Sequence, residues 1–208
     1  MNKFYINLDD SVERKTKFDN TWTRWSATGR NQVDILTRKK MISYYNVSEA
    51  YHLGKCGCFL SHIKLLKYIV ENKLNDVLIC EDDAIQVGDL PDYLGEGFVY
   101  LGGYFLNIKK TKGEFKGVHN SNAGLNTIVD KPYNVCMTLS YYIGTYQVAE
   151  ALLNELLSNK RYRAIDIMYI NSKLNKQYLY PALFVEERVD STIRKGKGKY
   201  SNEYYNLN

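Results

Sequence analysis

The chain has 208 residues, 45% hydrophobic and 25% charged, with a formal net charge of +5. This composition fits one soluble globular domain over residues 1–208. Much of the positive charge lies in residues 194–208, which we predict to be a basic and mobile tail. The remainder is nearly neutral, which excludes a surface that coats nucleic acid.

No stretch is long and apolar enough to span a membrane, and residues 1–8 lack the apolar core of a signal peptide. We therefore expect a cytoplasmic protein, which could still contact a membrane surface. Cys56 and Cys58 lack the Cys-x-x-Cys spacing and the histidine partners of a metal site. We expect reduced structural thiols.

The first elements in the chain are a strand, a helix and a second strand. Apolar and aromatic residues predict strands over Phe4–Leu8 and Trp22–Ser26. Asp10 and Glu13 stand in a capping arrangement and predict a helix through residue 18. Two short helices are predicted next, over residues 35–44 and 48–53.

A longer helix is predicted to begin at Gly54 and continue through Val70, because apolar residues recur there at helical spacing. Gly54 and Gly57 permit close approach of the backbone to a neighbour or a ligand. His62 lies within this helix, where a hydrogen-bonded structural histidine is the simplest interpretation.

The segment Val77–Ala84 is the strongest functional signal. Four apolar residues predict a strand buried on both faces, and Glu81, Asp82 and Asp83 follow directly. Open α/β sheets bind ligands at this end of a strand, and a divalent cation offsets the repulsion between clustered carboxylates. A solvated acidic turn is the alternative, and this stretch alone does not decide between them.

The remaining predicted elements alternate between strands and helices. They are strands over 98–101 and 135–143, a helix after Thr145, a helix from Asp166 to about Leu174, a long loop over 107–127 and an extended segment over 180–185. This alternation predicts an α/β fold with a mostly parallel central sheet flanked by helices.

Three stretches resemble glycosyltransferase family 25, which includes bacterial lipooligosaccharide and collagen galactosyltransferases. They are Tyr5–Asp9 with Arg14, Gly54-x-x-Gly57-Cys58-x-x-Ser61-His62, and Leu78–Ala84. Further along the chain, Tyr142–Leu153, Ile165-Asp166 and Asp190–Ile193 also resemble segments of the family. The resemblance implies a GT-A type, Rossmann-like domain that moves galactose or glucose from a UDP-sugar to a hydroxyl of a glycan or glycoconjugate, with inversion.

The resemblance also implies a divalent cation, Mn²⁺ or Mg²⁺, held by the acidic cluster. By position we assign Asp83 as the direct ligand and Glu81 as facing the ribose or a metal-bound water, while Asp82 could exchange roles with either. The candidate donor-binding residues are Arg14, Ala27, Thr28, Gly57, Ser61, His62, Ser191 and Arg194.

Within this set, Arg14 would contact a phosphate, and Ala27 or Thr28 would lie near the uracil. For Ser61 and His62 we favour structural support of the acidic cluster. The tail from Arg194 could close over the diphosphate, or it could only improve solubility.

The resemblance to inverting GT-A enzymes implies a carboxylate base at a helix start, and Asp166 is the candidate, with Glu186 or Glu187 next. A helix N-terminus favours the ionised carboxylate that a base needs. A plain helix cap is the alternative role of Asp166. For the whole chain, a metal-dependent nuclease or phosphohydrolase and a non-catalytic nucleotide-sugar binding module remain alternatives to a transferase.

Overall fold

The structure is a computed structural model that describes residues 1–43, 47–107, 124–127 and 133–186. Its strands are β1 Asn2–Asn7, β2 Thr23–Ser26, β3 Val77–Glu81, β4 Ala84–Gln86, β5 Phe98–Asn107, β6 Gly124–Thr127, β7 Tyr133–Ile143, β8 Lys176–Tyr180 and β9 Phe184–Glu186. Its α-helices are α1 Val12–Lys15, α2 Ile35–Lys40, α3 Glu49–Glu71, α4 Tyr146–Ser158 and α5 Ile165–Asn171.

The described strands form one nine-stranded sheet whose main path is β2-β1-β3-β7-β5-β8-β6, with β4 and β9 paired beside it. Strand β1 is parallel to both β2 and β3, whereas β7 lies antiparallel between β3 and β5. Strands β8 and β9 run parallel to β5. Because most strands therefore share one direction, the predicted mixed α/β class with a mostly parallel sheet is confirmed.

The two faces of the sheet bury separate hydrophobic clusters. Val77 and Ile79 of β3 point to the face on which α3, α4 and α5 pack, while Leu78 and Cys80 point to the other face. Trp22 is among the residues that cover this second face. Burial on both faces explains why the β3 sequence is continuously apolar, and the predicted doubly buried strand is confirmed.

Helix α3 is a single long helix, and the predicted separation into two helices at Gly54 is wrong. The helix begins after Ser48, whose Oγ accepts a hydrogen bond from the Tyr51 amide at 3.2 Å. Position 57 lies inside this helix and requires glycine, because a Cβ there would lie 2.4 Å from the Thr28 carbonyl oxygen. The glycine therefore serves close packing and does not break the helix.

Other predicted boundaries need smaller corrections. The first two helices are shorter than predicted, ending at Lys15 and Lys40, and α5 ends at Asn171. The predicted loop over 107–127 contains β6, and its residues 108–123 lie outside the described part of the chain. Strand β8 was not predicted, because polar and apolar residues alternate only weakly in its sequence.

Candidate functional site

A cleft of about 790 Å³ lies at the C-terminal ends of β1, β2 and β3, with α3 as one wall. Parallel strands bring their carboxyl ends to one edge of a sheet, and the side chains that follow them meet there. The cleft is lined by Ile6, Leu8, Asp9, Asp10, Ser11, Ala27, Thr28, Gly29, Arg30, Asn31, Gln32, Gly54, Cys58, Ser61, His62, Glu81 and Asp82. Five of the predicted site residues therefore share one cleft with Asp82.

Both carboxylate oxygens of Asp82 are engaged by neighbouring side chains. Asn7 Nδ2 donates to its Oδ2 at 2.8 Å, and Arg14 Nη1 donates to its Oδ1 at 2.7 Å. Asn7 also accepts a hydrogen bond from Arg24 Nε at 3.0 Å. Asp82 therefore fixes the ends of β1 and β3 to one another.

Arg14 was predicted to contact a phosphate, and the structure places its guanidinium beside the acidic cluster. Besides its 2.7 Å bond to Asp82, Nη1 lies 3.9 Å from Asp83 Oδ2. Its side chain is largely buried. The positive charge therefore offsets part of the repulsion within the cluster.

Asp83 follows the last residue of β3 by two positions and is not among the residues that line the cleft; its side chain is largely buried. Its Oδ1 is buried and has no hydrogen-bond partner among the described residues. Burial and the charge of Asp82 raise the pKa of Asp83 from 3.8 to about 6, although the Arg14 charge opposes this shift. An orphaned carboxylate oxygen with a raised pKa indicates a position that would be stabilised by a cation.

Glu81 lines the cleft, and most of its side chain is enclosed by protein. Burial raises the pKa of Glu81 well above its usual range, and the charges of Asp83 and Asp166 raise it further. Glu81 and Asp83 therefore supply hard oxygen atoms in a region of excess negative charge. This donor set fits Mn²⁺ or Mg²⁺.

Asp166 lies in the first turn of α5, and Ala164 occupies the N-cap position of this helix. The predicted alternative, in which Asp166 is the cap itself, is therefore wrong. Its charge helps to raise the pKa of Glu81 and of the Cys58 thiol, so its carboxylate belongs to the electrostatic environment of the cleft.

Ser61 and Gly57 hold the loop after β2 against α3. Ser61 Oγ accepts a hydrogen bond from the Thr28 amide at 2.8 Å and donates to the Gly57 carbonyl at 2.7 Å. Lys64 Nζ donates to Thr28 Oγ1 at 2.9 Å. The hydrogen bonds of Ser61 therefore hold the Thr28 wall of the cleft, whereas Asp82 of the acidic cluster is held by Asn7 and Arg14.

His62 is buried beneath the acidic cluster. Its Nδ1 is hydrogen bonded to Tyr141 Oη at 2.8 Å and to Tyr169 Oη at 3.2 Å. Its Nε2 lies 3.5 Å from Glu81 Oε1. Burial lowers the pKa of His62 from 6.5 to about 3, so the imidazole is neutral.

Ser191 and Arg194 lie outside the described residues, so their donor-binding roles stay predictions. Sequence reasoning gave no role to Asn7 or Arg24, although a buried polar residue at a strand's carboxyl end is a recognisable signal. It also gave Cys58 no role as a ligand. The structure brings this thiol to the cleft with His62 and Glu81.

A concave site at the carboxyl ends of parallel strands, bordered by carboxylates, is typical of an α/β enzyme. Residues 1–169 match the family model described as glycosyltransferase family 25 (LPS biosynthesis protein), so the chain belongs to this family, as its motifs predicted. A search of curated proteins finds no significant match. No helix of the described ranges is long and apolar enough to cross a membrane.

Membership favours sugar transfer over the nuclease or phosphohydrolase alternative and over a non-catalytic binding module. The matched region contains α3, the acidic cluster and Asp166.

Proposed function

We propose that the protein transfers galactose or glucose from a UDP-sugar to a hydroxyl of a glycan or glycoconjugate, with inversion, using a GT-A type domain. The observation that carries the proposal is the pair formed by Glu81 and Asp83. Both stand at the carboxyl end of β3, and Asp83 Oδ1 is buried without a hydrogen-bond partner among the described residues. Family membership supplies the reaction class.

The donor would lie along the cleft with its nucleoside against the loop after β2. The Thr28 amide bonds Ser61, so this loop is fixed before the donor arrives. A rigid wall lowers the entropic cost of binding, because the loop does not have to be ordered by the donor. Ala27 and Thr28 then border the uracil, and the diphosphate points towards Glu81.

Glu81 and Asp83 would hold the divalent cation, Mn²⁺ or Mg²⁺. A bound cation offsets the negative charge that develops on a diphosphate leaving group. Asp82 has both oxygens engaged, so it would position Arg14 and the strand ends while its neighbours act as ligands. Arg14 would add a fixed positive charge near the diphosphate.

Asp166 would act as the general base. Its carboxylate accepts the proton of the acceptor hydroxyl as that oxygen attacks the anomeric carbon, and the bond to the diphosphate breaks on the opposite face of the sugar. Its place in the first turn of α5 favours the ionised form that a base needs. Glu186, whose charge also raises the pKa of Glu81, is the next candidate.

Thermal-shift measurements with UDP, UDP-galactose and UDP-glucose, each with and without Mn²⁺, test donor and metal together. We expect stabilisation by the UDP compounds only when Mn²⁺ is present, and GDP should have a much smaller effect. Glu81→Gln should remove the Mn²⁺-dependent part. Equal stabilisation by UDP without metal, or none with it, would overturn the proposal.

The tail can be tested in the same assay. Arg194→Ala should weaken UDP binding more than removal of the residues from Gly196 onward, because a cation beside the diphosphate contributes more than flexible lysines. If neither change affects donor affinity or turnover, the tail has no part in the donor site.

A further inference from the structure

Three side chains of different chemistry converge at the α3 wall of the cleft. Cys58 and His62 are four residues apart on α3 and therefore share one face of the helix. Glu81 reaches them from the end of β3, and all three line the cleft. One ligand atom from each, the Cys58 sulfur, a His62 ring nitrogen and a Glu81 oxygen, lies within 4.8 Å of the others.

The His62 ring is already oriented for a ligand. Its Nδ1 is held by Tyr141 and Tyr169, so the ring cannot turn without breaking two buried hydrogen bonds. Its Nε2 is buried, has no hydrogen-bond partner among the described residues, and lies 3.5 Å from Glu81 Oε1. Metal-binding histidines are typically fixed in this way through their second nitrogen.

The donor set of one sulfur, one imidazole nitrogen and one carboxylate oxygen suits a thiophilic cation, and it differs from the oxygen set that Mn²⁺ or Mg²⁺ prefers. We infer that Cys58, His62 and Glu81 form a binding site for one Zn²⁺-like cation, with a fourth position open to the cleft. Three protein ligands with an open fourth position are a common arrangement for zinc. Binding releases the Cys58 thiol proton to solvent, and small side-chain movements bring the three atoms to bonding distance.

The site has a consequence that rests on the proposed function. Glu81 belongs to both donor sets, so a cation bound to Cys58 and His62 withdraws it from the Mn²⁺ site. Zn²⁺ should therefore inhibit sugar transfer in competition with Mn²⁺. Cation binding to Cys58, His62 and Glu81 requires neither a sugar donor nor catalysis, so this binding can be tested separately from the proposed function.

Co²⁺ titration of the full chain, followed by absorption, tests the site directly. A bound thiolate gives Co²⁺ a ligand-to-metal charge-transfer band, and Zn²⁺ should displace it. Cys58→Ser should remove this band and weaken Zn²⁺ binding by at least about tenfold, because even indirect ligand partners contribute about 10–100-fold. Cys56→Ser is the matched control, since Cys56 is fully buried in the same helix and does not line the cleft.

Alkylation of the wild-type protein gives a second measurement that needs no variant. Zn²⁺ should slow the modification of Cys58 by iodoacetamide, as read by mass spectrometry, while Mg²⁺ should not. The inference is overturned if wild type shows no thiolate band with Co²⁺, if Cys58→Ser retains it, if Cys56→Ser removes it, or if Zn²⁺ leaves Cys58 labelling unchanged. Any of these results would leave the UDP and Mn²⁺ experiments of the proposed function unaffected.

Discussion

The buried carboxylate of Asp83 should destabilise the metal-free protein, and Asp83→Asn should relieve this cost. The pKa of Asp83 is about 6 in the folded chain, against 3.8 for the free side chain. Each pKa unit corresponds to about 1.4 kcal/mol, so the ionised group lowers the free energy of unfolding by about 3 kcal/mol. For a domain of this size, that corresponds to about 6–12 °C in melting temperature.

The pH dependence shows whether ionisation of Asp83 raises or lowers the free energy of unfolding. Below 3.8 the carboxyl group is protonated in both states, so Asp83→Asn should change nothing there. Between 3.8 and about 6 only the unfolded chain is ionised, and the free energy of unfolding of wild type falls as the pH rises. Above this window the full cost is present and the Asn variant should be the more stable protein.

The assay is chemical denaturation with a chelator present, from acidic to neutral pH, followed by thermal melts with added Mn²⁺. Mn²⁺ should stabilise wild type and have much less effect on Asp83→Asn, because the variant lacks the charged ligand. Asp92→Asn, at an exposed position, is the matched control. An Asn variant that is less stable than wild type at neutral pH, or that Mn²⁺ stabilises equally, would refute the reasoning.

Gly57→Ala should lower the free energy of unfolding by about 1–3 kcal/mol, because the new Cβ would lie 2.4 Å from the Thr28 carbonyl oxygen. A Cβ at Gly97 would have no atom within 4 Å, so Gly97→Ala should hardly change the melting temperature. Equal melting temperatures for the Gly57→Ala and Gly97→Ala variants would contradict the packing argument. Asn7→Ala should cost about 1.5–3 kcal/mol in urea denaturation, because a buried carboxylate loses its donor; a loss below about 0.5 kcal/mol would count against this role. Asp166→Asn should lower turnover at saturating donor by about two to four orders of magnitude with unchanged melting temperature, and near wild-type turnover would exclude it as the base.

The strands around the cleft could be predicted because their sequences carry two signals at once. Val77–Cys80 is continuously apolar, as burial on both faces requires, and the acidic residues begin where the strand ends. Thr28 was predicted only to lie near the uracil, and the structure places it in one cleft with Glu81 and Asp82, because parallel strands end at a common edge. The apolar pattern was therefore sufficient to predict the strand, while the roles of the acidic residues stay predictions.

The parts that were missed depend on tertiary contacts. Gly54 and Gly57 suggested a helix start, but packing against the Thr28 loop stabilises an uninterrupted α3. The convergence of Cys58 with Glu81 depends on how α3 lies against β3, which no local spacing contains. The hydrogen bond from Asn7 to Asp82 likewise joins residues that are distant along the chain.

The antiparallel strand β7 also determines when β3 gains its second neighbour during synthesis. β3 and β5 meet through β7, and Val77 of β3 pairs with Ile143 at its far end. Until this segment leaves the ribosome, the nascent chain presents β3 as an apolar strand with one open edge, which is a template for intermolecular pairing. Pairing of the open edge of β3 therefore waits for a contact between distant parts of the chain, and fragments ending before β7 should aggregate.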